Sequence, residues 1–203
     1  PPPRLAETPS GMLNAVGLQN IGLEAFLREK LPALRHHEVP VIVSILGESP
    51  EELAAMVQQL DAADGVAAIE LNLSCPNLSD RQRPQATDPW QISLPPNLVA
   101  HDPDATFAMV EAARLRTQKP VIAKLSPDVT DLAPIAQAAE RAGASALTVG
   151  NTFVGMSIDP ATRRSRLGTL TGGLSGPAIR PLAVYRVWYT ARSVRVPVIG
   201  LGG

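Results

Sequence analysis

The residues able to do chemistry gather at the ends of short apolar runs. Cys75 is the only cysteine, so it forms no disulfide within the chain and is either a buried packing residue or a reactive thiol. It closes the run 67–74, between Ser74 and the pair Pro76 and Asn77. With no histidine suitably placed, a thiol there is the natural base or nucleophile. Lys124 stands inside the apolar run 121–126. Lysine is almost never buried without a partner, and central parallel strands are covered on both faces, so Lys124 reads as functional, an edge strand with its lysine in water being the alternative. Ser44, Asn72, Asn151, Thr152, Gly202 and Gly203 end other such runs. His36 and His37 are adjacent and His101 stands alone; none has metal-ligand spacing, and all three read as solvent-facing. Glu51 and Glu52 belong to a helix start and Asp61 and Asp64 to its exit, which leaves no carboxylate pair for glycosidase chemistry.

Something must hold these residues together. Five runs, 39–45, 67–74, 121–126, 146–151 and 196–201, read as strands. In the second, Ile69, Leu71 and Leu73 face one side and Glu70, Asn72 and Ser74 the other; in the third, Lys124 and Ser126 share a side. Helices alternate with them. Ser49-Pro50-Glu51-Glu52 is a capping-box pattern with proline at the first helical position, Asp102-Pro103 opens a second helix, a third runs from Leu132 and stops at Gly143, and a fourth starts near Pro177. Upstream, 21–34 reads as one more helix after the turn-rich 14–20. Alternating strand and helix implies a parallel sheet, closed as a (β/α)8 barrel or open and doubly wound. In a barrel all the listed strand ends share one rim, where such folds build their sites.

Two connections are long, 76–100 and 153–176, and both follow a strand. The first holds Pro84, Pro89, Pro95 and Pro96, so regular structure cannot run through it; it is a candidate lid or a surface insertion without a role. The glycine-rich 171–176 precedes a helix, where backbone N–H groups and the helix start suit a phosphate; glycines serving positive φ are the plainer alternative.

The totals narrow the class. In 203 residues with 45% hydrophobic and 3% aromatic content and a net charge of −1, the composition is that of one globular domain and gives no reason to expect nucleic acid. The start lacks the basic and apolar segments of a signal peptide, and no run of about 18 apolar residues marks a membrane span. A cytoplasmic protein is expected. Five strands do not close an eight-stranded barrel, so residues 1–203 are expected to be a partial barrel domain with sequence missing at both ends.

Asn72-Leu73-Ser74-Cys75-Pro76-Asn77 resembles the signature of the class 1 dihydroorotate dehydrogenases. The stretches 11–20, 124–131 and 171–181 are similar to the NAD-linked subtype, class 1B, and the resemblance extends over the whole chain. It implies a (β/α)8 TIM barrel that binds FMN and oxidises dihydroorotate to orotate in pyrimidine biosynthesis. Cys75 would be the base that takes a proton from C5, while hydride leaves C6 for the flavin. Asn72, Asn77, Asn151 and Thr152, with Asn14 and the backbone through Ala15, Val16, Gly17 and Leu18, would bind the substrate. Lys124 would stand at the polar edge of the flavin ring, Asn72 and Ser44 would contact FMN, and Gly176, Gly202 and Gly203 would serve its phosphate. The same resemblance implies an iron–sulfur flavoprotein electron-transfer subunit and a homodimer core.

The sequence departs from the family in three places. Ser44 stands where class 1B members often carry an asparagine that contacts FMN. The loop after Cys75 is longer than usual and lacks the paired glycines. The family's first strand, with a substrate-contacting lysine, would precede Pro1, and its last phosphate-binding strand would follow Gly203. Class 2 enzymes, which reduce quinone, use serine as base, and Cys75 argues against them. Other readings are a related flavin barrel reducing uracil-type bases, a non-redox phosphate-binding barrel lyase or isomerase, and a non-catalytic fragment.

Overall fold

The computed structural model describes residues 2–74 and 99–203. The chain opens with an antiparallel hairpin, β1 (Leu5–Thr8) and β2 (Gly11–Asn14). Then come α1 (Leu23–Ala25), a π-helical turn over Phe26–Lys30 and α2 (Leu31–Arg35). The single helix expected over 21–34 is therefore interrupted: the Leu31 N–H reaches back five residues to the Phe26 carbonyl. Pro32 has no N–H to give the turn before it and its ring crowds the carbonyl four residues back, so a wider turn is accommodated just upstream.

Strand and helix then alternate as expected: β3 (Val41–Ile45), α3 (Pro50–Asp61), β4 (Val66–Asn72), α4 (Pro103–Arg114), β5 (Val121–Leu125), α5 (Ala133–Arg141) and β6 (Ala146–Val149). The expected caps form. Ser49 Oγ accepts from the Glu52 N–H at 3.2 Å, while the Glu52 carboxylate accepts from the Glu48 N–H at 2.6 Å, one residue earlier than a capping box requires. Asp102 Oδ1 accepts from the N–H groups of Asp104 and Ala105. α5 ends at Gly143, whose N–H bonds to Glu140 as that of Ala144 bonds to Ala139, a Schellman pair.

The connection 153–176 is not a plain loop. It contains β7 (Phe153–Gly155), the small hairpin of β8 (Ile158–Asp159) and β9 (Arg164–Ser165), and β10 (Gly172–Ser175). A 3-10 turn over Pro177–Ile179, α6 (Arg180–Ala191) and β11 (Val198–Gly200) complete the chain. The glycine-rich segment expected to be a phosphate-holding turn is thus mostly a strand, paired with β2 on one side and β7 on the other. Its glycines serve close packing: a Cβ at Gly173 would lie 2.2 Å from Thr152 Oγ1, and one at Gly172 2.8 Å from the Asn14 carbonyl oxygen.

The main sheet has the order β11-β6-β5-β4-β3, every pair parallel. Each new strand is added on the same side of the last, with no reversal of order. A doubly wound sheet reverses at a switch point, so the arrangement is that of five successive strands of a (β/α)8 barrel. α3, α4, α5 and α6 pack in succession, each against the next. The core lies between them and the outward faces of the strands: Val57, Leu60, Ile69, Leu71, Val110, Val121, Ala123 and Leu147 have no exposed surface. Each large side chain there contributes about 1.5–3 kcal/mol by leaving water. The opposite face is polar toward the strand ends, and at the two edge strands it leaves Ile42 and Ile199 about half exposed, at 53% and 43%. A second sheet, β1-β2-β10-β7, is joined to the strand ends through Asn151 and Thr152, which lead directly from β6 into β7.

Candidate functional site

The alternation read in 67–74 is realised. Ile69, Leu71 and Leu73 are buried against the helices, and Glu70 and Asn72 turn inward. Strand register puts Ser44 beside Glu70, Asn72 beside Lys124, and Lys124 beside Thr148. Polar side chains from four neighbouring strands are thereby brought onto one concave face.

Two hydrogen-bonded groups occupy it. Deeper in the sheet, the Glu70 carboxylate accepts from Ser44 Oγ on one oxygen and from Thr148 Oγ1 on the other, both at 2.8 Å. Nearer the strand ends, Ser74 is the hub. Its Oγ donates to Asn72 Oδ1 at 2.8 Å and accepts from Lys124 Nζ at 2.8 Å and from Asn151 Nδ2 at 2.7 Å. The partly buried Lys124 has a polar partner, as a lysine in an apolar strand requires. Asn151 Oδ1 accepts from the Thr152 N–H at 2.9 Å. Ser126, which the strand period puts on the same side as Lys124, takes no part; its Oγ accepts from the Asp128 N–H at 3.2 Å and holds the turn after β5.

The second sheet adds a wall. Asn14 and Thr152 lie on either side of β10: Asn14 Nδ2 donates to the Gly173 carbonyl at 3.4 Å, and Thr152 packs against the bare Cα of Gly173. Ala15 continues from β2 with its N–H on the Arg4 carbonyl. Val16 is half-buried, and Gly17 and Leu18 are exposed. Among the described residues no side-chain hydrogen bond ties 15–18 to the Ser74 group.

Gly176, Gly202 and Gly203 lie around the start of α6. All three have positive φ, at 88°, 96° and 105°, a conformation that suits glycine. A Cβ on Gly203 would lie 2.9 Å from Arg180 Cα, and one on Gly202 3.3 Å from Ile179 Cδ1. The N–H groups at the helix start are already committed within the chain. Pro177 has no N–H, the Ala178 N–H is bound to the Ser10 carbonyl and that of Ile179 to Gly176.

The structure therefore brings together Ser44, Asn72, Lys124 and Asn151, sets Asn14 and Thr152 beside them, and places Gly176, Gly202 and Gly203 around the start of α6. Cys75 and Asn77 lie outside the described residues, as does most of the connection 76–100. Glu70, Ser74 and Thr148 had been given no role from sequence. The period-two pattern points Glu70 and Ser74 inward, but the pairing of the three across strands has no local signal. His36, His37 and His101 are exposed. Among the described residues, no group of three His, Cys, Asp or Glu is placed to hold a metal ion, and no helix is long and apolar enough to cross a membrane.

Comparison with known proteins agrees with this geometry. The chain is 49% identical over 203 residues to the dihydroorotate dehydrogenase B (NAD(+)) catalytic subunit of Trichlorobacter lovleyi, and 46% identical to that of Thermodesulfovibrio yellowstonii. Each match covers all of this chain and 62% of the relative, so the chain spans less than two thirds of their length. Two crystal structures of the dihydroorotate dehydrogenase of Eimeria tenella, one with ferulenol and one ligand-free, share the fold. Their TM-scores are 0.68 and 0.66 at 21% and 17% identity, covering 98% of this chain and 59% and 61% of those chains. The family described as dihydroorotate dehydrogenase matches residues 1–203, and this chain belongs to it.

Proposed function

We propose that this chain carries much of the active site of an FMN-dependent dihydroorotate dehydrogenase of class 1B, which oxidises dihydroorotate to orotate in pyrimidine biosynthesis. One observation carries the reading: Ser74, the residue before Cys75, joins Lys124, Asn72 and Asn151 through hydrogen bonds of 2.7–2.8 Å at the strand ends.

The residues present fit a flavin mononucleotide. Lys124 supplies a cation on the concave face, and Gly202 and Gly203, which follow β11 with positive φ, offer with Gly176 a backbone bare of side chains, which suits a close approach to phosphate. FMN, when bound, accepts the hydride from C6 of dihydroorotate. The chain's own part is acid–base and positional. Cys75 takes the C5 proton as thiolate; the charge of Lys124 favours an electron-rich ring edge beside it. Asn72, Asn151 and Thr152, with Asn77, Asn14 and the backbone of 15–18, bind the pyrimidine and its carboxylate. Ser44, tied to Glu70, takes the place of the family's asparagine.

The same reading gives the protein an iron–sulfur flavoprotein partner that passes electrons to NAD, a homodimeric core and a cytoplasmic location. These rest on family membership. The test is direct: the full-length protein should purify with flavin absorbance that bleaches anaerobically on adding dihydroorotate. A colourless protein, or a flavin that dihydroorotate leaves oxidised, would refute the proposal.

A further inference from the structure

Building on that reading, we infer that Ser74 is a positioning residue that sets the polarity of the site, fixing Asn72 so that its amide nitrogen meets the substrate as a hydrogen-bond donor, with Asn151 and Lys124 held beside it, and so favours an acceptor-rich anion.

A serine hydroxyl has one proton and two lone pairs. Ser74 commits all of them: the proton to Asn72 Oδ1, the lone pairs to Lys124 Nζ and Asn151 Nδ2. It is 2% exposed, so water is a poor substitute for any of the three. The consequences pass outward to both amides. Asn72 has its oxygen held by the hydroxyl, so the group it turns to a ligand is the two-proton nitrogen. Asn151 has its oxygen held by the Thr152 N–H and its amide nitrogen on Ser74, donating to the hydroxyl at 2.7 Å and to the backbone carbonyl at 3.3 Å, so it turns no free acceptor to the ligand. The ammonium of Lys124 has three protons and no lone pair.

Turning Asn72 over would bring a third nitrogen donor against one oxygen and leave the serine proton without an acceptor. The arrangement is thus determined by a single buried hydroxyl. A ligand facing it is favoured for carbonyl and carboxylate oxygens and disfavoured for donor groups. Orotate, with two ring carbonyls and a carboxylate, matches that demand; its methyl ester keeps the ring and loses the charge.

The test is calorimetric titration of the full-length, FMN-loaded enzyme with orotate and with orotate methyl ester. In the native protein orotate should bind more tightly than the ester. Ser74→Ala frees the amides to turn, and should weaken orotate by about tenfold or more while weakening the ester by less than about threefold. A merely structural serine would move both equally or neither. Asn72→Asp gives a second reading that does not remove the hub: its carboxylate still accepts from Ser74 but turns oxygen outward. Orotate should then weaken by about a hundredfold with the melting temperature little changed. An unchanged orotate-to-ester ratio in folded Ser74→Ala would overturn the inference. Where that variant fails to fold, native orotate affinity in Asn72→Asp would overturn it instead. Failure of the native enzyme to bind orotate would sink the dihydroorotate reading itself, and this inference with it.

Discussion

Thr148 and Glu70 meet across an intervening strand: the hydroxyl on β6 donates to the carboxylate on β4 at 2.8 Å, over β5. The other carboxylate oxygen takes the Ser44 hydroxyl from β3. One side chain on β4 thus bonds to β3 and β6 and spans β5 on the face that carries the site. Glu70→Leu should lower the unfolding free energy of the full-length protein by about 1–2 kcal/mol, two charged hydrogen bonds discounted for partial exposure. Glu70→Gln, which can accept from one hydroxyl but not both through oxygen, should lose less. Denaturant titration measures both, and equal stability of all three proteins would show that the tie contributes nothing.

Lys124 is fixed by Ser74 at 2.8 Å and brings a cation to the place proposed for the flavin. Lys124→Ala should weaken FMN binding by about tenfold or more and slow flavin reduction, because a positive charge is lost where reduction adds a negative one. Fluorescence titration of apoprotein with FMN and single-turnover reduction check the two effects separately. Unchanged values in both would place Lys124 outside the flavin site.

Gly150 joins β6 to Asn151 with φ 143°, and a Cβ there would lie 2.1 Å from the Leu201 carbonyl oxygen. No flexible side chain can give way, since the obstacle is backbone. Gly150→Ala should therefore push apart the ends of β6 and β11, costing about 3 kcal/mol or more and displacing Asn151 and Gly202 together. Loss of both stability and FMN affinity is expected; a variant with native melting temperature and native FMN affinity would contradict this packing.

The β8–β9 hairpin is held by Asp159, whose carboxylate accepts from the N–H groups of Ala161 and Thr162. Those bonds lower its pKa from the ordinary carboxylate value. A carboxyl with a folded pKa below its unfolded one stabilises above the unfolded value, about 3.9, and the contribution is lost as pH falls through the lower folded value. Amide exchange at Ala161 and Thr162 should be slower than in Asp159→Ala near pH 6, with the difference narrowing in acid. Equal exchange in the two proteins near pH 6 would exclude the role.

The parts legible in the sequence are those whose signal is local. Five strands and the helices between them declare themselves by period, and Ser49 and Asp102 mark helix starts because a capping side chain bonds two or three residues ahead. Lys124 and Asn72 stand out as polar residues in apolar strands. The second sheet did not show, since β2, β7 and β10 are short and contain glycine, and β2 pairs with β10 over more than a hundred residues of sequence, as Leu13 does with Leu174. The π turn depends on how the helix accommodates Pro32, which periodicity does not encode. Glu70 and Ser74 were visible as inward positions and Thr148 was not singled out; their bonds exist only once separate strands are set in register.

The central claim is that this chain belongs to an enzyme in which the Cys75 thiolate removes a proton from dihydroorotate. A thiol ionises near pH 8.5 and an alkyl hydroxyl far above it. Anaerobic stopped-flow reduction of the full-length, flavin-loaded enzyme by dihydroorotate should therefore rise with pH along one ionisation. Cys75→Ala should abolish it while FMN stays bound, and Cys75→Ser should keep a small activity that grows toward alkaline pH without a plateau. Near-native reduction by Cys75→Ala, per bound flavin, would contradict the account.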